Sequence, residues 1–405
     1  MVDKKYNPAL LKLELLSNGL LISEKAQEKI GTEIKDVLRM RTGAGTGLEM
    51  FLEKQVIVSA PTAEDFCYAS PFLLDINSDG SYVIFKNGRF IQKVTPYPRP
   101  KYYSKTTSDG TPMRKIGGLQ GDFLSFAVDR RCWFWGHYDK DKIVKYRGKQ
   151  CKFCGIGVEW SGRDPIVYTT EQILEVCEEA LKEKYVNHIA ILAGTFPPPG
   201  RGHEEYATLI KAIKERFDIW VRLSIAPPEE EKYVDMLYEA GADLVGYNYE
   251  AYDPQYYKEI CPGKYEEIDK GVAHQQFDRI LKYASKTAGR DKVFSALLAG
   301  IEPRRNTVKG IRYLSSLGVL PRVFVFRPLK GTEFSGKKTS SSEDLVYIYR
   351  NMKKIIEGEF HEDVGCPGCA RNEIATKTYL GLNPRMPEIT DEDLEFAGID
   401  PKLTY

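Results

Sequence analysis

The spacing of hydrophobic and polar positions changes character twice along the chain. In "PALLKLELLSNGLL" and "AQEKIGTEIKDVLRM" the apolar residues recur with helical spacing, which predicts helix across residues 1–50. Over residues 55–120 the pattern turns to strands. "SYVIFKNGRFIQKV" places Asn87-Gly88 between two β-rich runs, a hairpin signal. "TPYPRPKYYSKTTSDGTPM" is Pro-rich and polar and reads as loop. Residues 1–120 are therefore expected to form a small α+β accessory region.

From residue 122 short apolar runs alternate with longer amphipathic ones. "DFLSFAVD", "HIAILAGTF", "IWVRLSIAP", "LVGYNYEA", "KVFSALLAG" and "RVFVFRPL" predict six strands. Helical patterns such as "TTEQILEVCEEALKE", "HEEYATLIKAIKERF" and "HQQFDRILKYASKTA" stand between them. This alternation predicts an α/β fold with a parallel sheet, a partial (βα)6 TIM-type barrel over residues 121–340. Residues 341–405 are expected to add a C-terminal helix, "SEDLVYIYRNMKKIIEG", and a Cys-containing tail. In such a barrel, functional groups gather at the C-terminal ends of the strands.

Charge narrows the partners. With 58 basic and 57 acidic residues in 405, the formal charge is +1, and no strong field invites nucleic acid or a membrane surface. No apolar run reaches the roughly 18 residues of a membrane span. "MVDKKYNPALLKLELL" lacks the apolar core of a signal peptide. A cytoplasmic protein is the expectation.

Eight cysteines carry the candidate chemistry. The strand "DFLSFAVD" ends at Asp129, so Cys132 lies at its C-terminal edge. Cys151 and Cys154, a C-x-x-C pair, follow in the same connection, far longer than an ordinary loop. Three thiolates at the functional face can hold a four-iron cluster and leave one iron open. A second C-x-x-C, Cys366 and Cys369 in "VGCPGCAR", suits an iron–sulfur cluster, a zinc ion or no metal at all. The two pairs together could instead close one structural zinc site in a barrel enzyme without radical chemistry. Cys67, Cys177 and Cys261 have weak claims, and Cys177 lies on an apolar helix face. His137 and His203 are isolated. "WFWGHY" is either a substrate lid or packing.

As a set, these features resemble the radical S-adenosylmethionine (radical SAM) superfamily, whose signature is C-x3-C-x2-C. "QCKFCG" matches its second half, with Phe153 at the aromatic position near the adenine. Arg147 stands where the first cysteine is expected, and the nearest upstream thiol gives C-x18-C-x2-C, with Cys132 as third ligand. Further segments are similar to the biotin synthase and lipoyl synthase branch. On that match Gly194 and Thr195 in "LAGTF" meet the methionine amine, and Arg222 and Ser224 its carboxylate. Asn248 and Glu250 in "LVGYNYEA" share a strand face by period two, and Glu250 binds the ribose hydroxyls. Ile301 and Glu302 in "LLAGIEP" flank the adenine, and Arg327 follows the sixth strand in "FRPLKGTEF". The resemblance spans roughly residues 120–335.

The resemblance implies a 4Fe-4S cluster, S-adenosylmethionine, and a 5′-deoxyadenosyl radical that takes hydrogen from an unidentified small-molecule substrate or biosynthetic intermediate. Rearrangement, methylation and sulfur insertion all fit, with ferredoxin or flavodoxin as electron donor. Biotin synthase itself is disfavoured, because the strands that carry its second cluster's cysteines have none here. Lipoyl synthase is disfavoured by the missing N-terminal cysteine triplet. Each role has a plainer counterpart: Glu250 and Glu302 could cap backbone groups, and Arg222 and Arg327 could pair internally.

Overall fold

The computed structural model describes residues 4–33, 47–120, 123–139, 142–159, 167–183, 186–192, 194–356 and 387–405. The chain divides into two compact units. One comprises residues 1–99, 298–309 and 323–405, the other residues 100–297 and 310–322.

The first unit is built on a six-stranded sheet of β1 (Leu21–Ile22), β2 (Gly47–Phe51), β3 (Ile57–Pro61), β4 (Phe72–Ile76), β5 (Tyr82–Lys86) and β6 (Arg89–Pro96), in the order β1-β4-β5-β6-β2-β3. β1 runs parallel to β4, and the other pairs are antiparallel. The hairpin forms where expected. Asn87 and Gly88 take φ of 49° and 77°, the two left-handed residues that a type I′ turn demands. The expectation of helix throughout residues 1–50 is corrected. Helices occupy Pro8–Asn18 and Glu24–Glu33, but Leu21–Ile22 and Gly47–Phe51 are strands. "GLEMF" pairs with β3, Met50 opposite Val58, and that tertiary ladder overrides local spacing.

The helix Pro8–Asn18 is apolar nearly all round and buried nearly all round. Asn7 caps it, its side chain accepting from the Ala9 N–H at 2.9 Å. Among its buried residues are charges, and one is Glu14. Lys86 Nζ donates to Glu14 Oε1 at 2.8 Å, to the Ala397 carbonyl at 2.9 Å and to the Tyr6 hydroxyl at 3.0 Å. Tyr6 also donates to Glu14. Burial pushes the Glu14 carboxyl up, and Lys86 pulls it back toward ionisation.

The second sheet has seven strands. They are β7 (Gly117–Gln120), β8 (Phe123–Ala127), β11 (His188–Leu192), β12 (Trp220–Ser224), β13 (Leu244–Gly246), β14 (Val293–Ala299) and β15 (Leu320–Val325). A separate hairpin, β9 (Gly136–Asp139) and β10 (Lys142–Tyr146), lies between β8 and β11 in the chain. The sheet order is β15-β14-β13-β12-β11-β8-β7. The pairs β8–β11, β11–β12, β12–β13 and β13–β14 are parallel, with β7 added antiparallel at the β8 edge. Helices Thr170–Ala180, His203–Arg216, Lys232–Glu239, Gln275–Thr287 and Arg304–Ser316 alternate with the strands. This is the expected partial (βα)6 barrel. Thr169 and Gln172 close a capping box at the first of these helices.

The strand expected over residues 244–251 stops at Gly246. Glu250 has φ 69°, a left-handed conformation that a strand cannot carry, and touches β14 only through an isolated bridge to Leu297. The period-two argument linking Asn248 to Glu250 therefore does not apply.

Breaking the Glu14–Lys86 pair tests the first unit. Lys86→Met leaves a buried carboxylate without its cation and is expected to lower stability by about 3–5 kcal/mol. Urea denaturation should show Glu14→Gln recovering part of that loss in the double variant.

Candidate functional site

The cysteine loop leaves β8 and is pinned at once. Asp129 forms an isolated antiparallel bridge with Val167, which closes the loop at its base. The Asp129 carboxylate accepts the Arg131 backbone N–H at 2.9 Å and its guanidinium at 2.5 and 3.0 Å. Trp133 N–H donates to the Thr195 carbonyl at 2.6 Å, tying the loop to the segment after β11. A Cβ on Gly194 would stand 1.9 Å from the Arg131 carbonyl oxygen, so only glycine permits this crossing.

Between Cys132 and Cys151 the chain is looped out. Gly136 pairs with Tyr146 in the β9–β10 hairpin. At the hairpin's base Arg147 N–H donates to the Trp135 carbonyl at 2.8 Å, and Lys149 N–H to the Phe134 carbonyl at 3.1 Å. Arg147, where the missing cysteine was expected, is a clamp. Its Nη2 donates to Glu267 Oε1 at 2.7 Å, and Trp133 Nε1 donates to Glu267 Oε2 at 2.8 Å. Burial opposes ionisation of Glu267, but hydrogen bonds from Trp133 and Lys149 and the nearby Arg147 charge hold its carboxyl below the usual range. Phe134 is buried, and Trp135 packs with Cys132, Cys154 and Val167 around Ile156. Phe134 and Trp135 are thus packed, while Trp133 is bonded to Glu267.

These bonds bring the thiols together. Cys154 N–H donates to the Cys151 carbonyl at 3.0 Å, forming the C-x-x-C turn. Cys154 lies within electrostatic reach of both Cys151 and Cys132. The Cys132 sulfur faces the backbone N–H groups of Thr195, Phe134 and Trp135. Burial pushes the Cys132 and Cys154 thiols up. Cys151 moves the other way, because a hydrogen bond from the Cys261 thiol outweighs its burial. Cys261 itself is pushed well up by burial.

Cys261 and Lys264 are site residues that sequence reasoning missed. Lys264 opens a π-helical turn, Lys264–Ile268, a geometry that recurs at functional sites. Its Nζ donates to Glu250 Oε1 at 2.8 Å and to the Asn248 carbonyl at 3.1 Å. Burial pulls the ammonium down, but Glu250, Cys151 and Cys261 together outweigh it and raise its pKa. The sole sequence hint was "ICPGK", a cysteine and a lysine flanking a Pro-Gly turn.

The other expected residues are distributed as follows. Asn248 Oδ1 accepts the Ala296 N–H at 3.3 Å. Arg222 is buried in the sheet with its guanidinium 5.1 Å from the Phe123 ring centre, and Ser224 ends β12 opposite Gly246. Phe153 is half-buried in the C-x-x-C turn. Ile301, Glu302 and Arg327 belong to the first unit. There Glu302 accepts from Thr307 Oγ1 at 3.4 Å, and Arg327 donates to the Ser59 carbonyl. Cys366 and Cys369 lie outside the described residues.

Among the described residues no group of three or more His, Cys, Asp or Glu side chains is set to hold a single metal ion. A cluster takes its thiolates at separate irons, and Cys132, Cys151 and Cys154 of one connection are the residues that would hold it.

Residues 148–319 match the family model of the radical SAM superfamily. The match includes Cys151 and Cys154 and begins after Cys132. The chain is similar to bacteriochlorophyllide c C-7(1)-hydroxylase of Chlorobaculum limnaeum, with 22% identity over 228 residues, 52% of this chain and 56% of the relative. The similarity thus spans little more than half of that relative's length. Similar solved structures include methylornithine synthase (PylB), with 18% identity, 74% of this chain and 91% of that one, at a TM-score of 0.43. Another is the FeFe-hydrogenase maturase HydG of Carboxydothermus hydrogenoformans, with 17% identity, coverage of 71% and 68%, and a TM-score of 0.42. The biotin synthase and lipoyl synthase branch is not singled out by these matches.

Two buried histidines give the domain a pH signature. His203 Nδ1 lies 2.6 Å from the Gly200 carbonyl and Nε2 3.2 Å from the Tyr247 hydroxyl. His274 is stacked on Tyr249 at 3.9 Å, with Tyr257 at 4.1 Å. Burial lowers both pKa values from 6.5 to about 3. The unfolded chain takes up these protons near 6.5 and the folded chain only near 3, so stability falls as pH drops through that window. His203→Asn keeps a donor for Gly200 and should remove about 2 kcal/mol of the difference between pH 7 and pH 5. Urea titrations of the metal-free protein at the two pH values measure it.

Proposed function

We propose that the protein is a radical SAM enzyme that holds a 4Fe-4S cluster through Cys132, Cys151 and Cys154 and acts at a carbon–hydrogen bond of a small molecule. One observation carries the reading. The β9–β10 hairpin loops out the residues between Cys132 and Cys151, and a single bonded loop then groups three thiols at the C-terminal side of a parallel barrel. The bound cluster, once reduced, supplies the electron that cleaves the sulfonium of S-adenosylmethionine to a 5′-deoxyadenosyl radical.

The chain's own residues bind and orient. Gly194 and Thr195, beside the cysteine loop, would receive the methionine end together with Arg222 and Ser224. Glu250, held on Lys264 through one oxygen, would accept from the ribose hydroxyls. Phe153 would cover the adenine. The likeness to a hydroxylase supports a C–H substrate and adds hydroxylation to rearrangement, methylation and sulfur insertion. A reduced ferredoxin or flavodoxin would deliver the electron. Among the described residues no helix is long and apolar enough to cross a membrane. The proposal includes a second metal, iron–sulfur or zinc, at Cys366 and Cys369.

Anaerobic reconstitution with iron and sulfide should give a broad visible iron–sulfur band, and dithionite with S-adenosylmethionine should give 5′-deoxyadenosine. Cys132→Ala, Cys151→Ala and Cys154→Ala should each abolish both signals. Tight zinc without iron or 5′-deoxyadenosine would sink the reading, and full activity in Cys132→Ala would move the third ligand elsewhere. Metal content of a Cys366→Ala/Cys369→Ala double variant reports on the second metal, which is absent if iron and zinc both stay at wild-type levels.

A further inference from the structure

The segment bearing Cys261 is sewn to the C-x-x-C loop. Lys152 N–H donates to the Ile260 carbonyl at 2.9 Å, and Gly263 N–H to the Lys149 carbonyl at 3.0 Å. Cys151 and Cys261 sit between these two cross-links. The approach is close, since a Cβ on Gly263 would stand 2.4 Å from the Lys149 carbonyl oxygen. Cys261 ends the helix Pro254–Ile260, its N–H donating to the Tyr257 carbonyl at 2.9 Å, and it is wholly buried.

The two cross-links set Cys261 beside Cys151. With Cys132, Cys151 and Cys154 as corner ligands, a fourth thiolate would close the iron that must stay open, so Cys261 is not a further corner ligand. Three residues on, Lys264 is fixed by Glu250 and the Asn248 carbonyl, and its charge reaches both Cys151 and Cys261. Donors and cations aimed at a ligand sulfur withdraw electron density, which favours the more negative, reduced cluster.

We propose that Cys261 is a positioning residue of the cluster site: its thiol hydrogen-bonds the Cys151 sulfur, fixes that ligand, and eases reduction of the cluster. This rests on the cluster reading given above. It assigns a function to a residue 110 positions from its partner.

Iron content, sulfide content and the midpoint potential of reconstituted Cys261→Ala test it, with Cys261→Ser restoring a donor. The expected result is wild-type iron, a potential shifted to more negative values in Cys261→Ala, and a return toward wild type in Cys261→Ser. Iron loss in both variants would make Cys261 a ligand and overturn the assignment, as would an unchanged potential in Cys261→Ala. A wild-type protein that assembles no iron–sulfur chromophore would overturn the cluster reading and this role together. Diamide oxidation of the metal-free protein checks the geometry without a cluster. Peptide mapping should recover a Cys151–Cys261 disulfide ahead of Cys151–Cys154; the reverse order would overturn the juxtaposition.

Discussion

The backbone hydrogen bonds that hold the cysteine loop against its neighbours are what the rest of the site depends on. A long connection without regular structure is free to sample many paths, and fixing each residue costs roughly 1–2 kcal/mol of backbone entropy. Here the path is fixed on three sides. Trp133 is bonded to Thr195, Lys152 to Ile260, and the hairpin base closes through Arg147 and Lys149. Side chains then finish the job, with Glu267 receiving both Trp133 and Arg147. The thiols stand where they do because peptide groups from two neighbouring barrel connections, with the loop's own hairpin base, leave it no other course.

That dependence explains which glycines are fixed by space alone. Gly194 and Gly263 both lie where the loop crosses a neighbouring segment, and at each a methyl group would collide with a carbonyl oxygen of the loop. Neither has a left-handed φ, so steric room and not backbone freedom selects glycine there.

Much of the architecture was legible in the chain. The six barrel strands and their helices announce themselves because each must bury an apolar face, and that demand is written at periods of two and 3.6. What escaped has a physical reason. The hairpin "GHYDKDKIVKY" has no Asn-Gly or Asp-Gly turn, and its polar residues read as loop. The strand Gly47–Phe51 exists through its ladder to β3, which local spacing does not encode. Cys261 looked isolated because its neighbour Cys151 is reached only through the folded barrel. Glu250 looked like a strand residue, but the strand stops at Gly246, and Glu250 has a left-handed backbone and a carboxylate bound to Lys264. The grouping of residues 298–309 and 323–405 with the first 99 is likewise a tertiary fact.

The hairpin between Cys132 and Cys151 has a consequence for how such proteins are compared. An antiparallel ribbon grows or shrinks by residue pairs at its tip while its two feet stay a fixed distance apart. The number of residues separating the two cysteines is then a ribbon length added to a constant, and it carries no geometric information about the thiols. Chains whose cysteines stand two, six or ten residues nearer or farther apart could present the same constellation. Kinship is better measured at the feet of the ribbon than by counting along it.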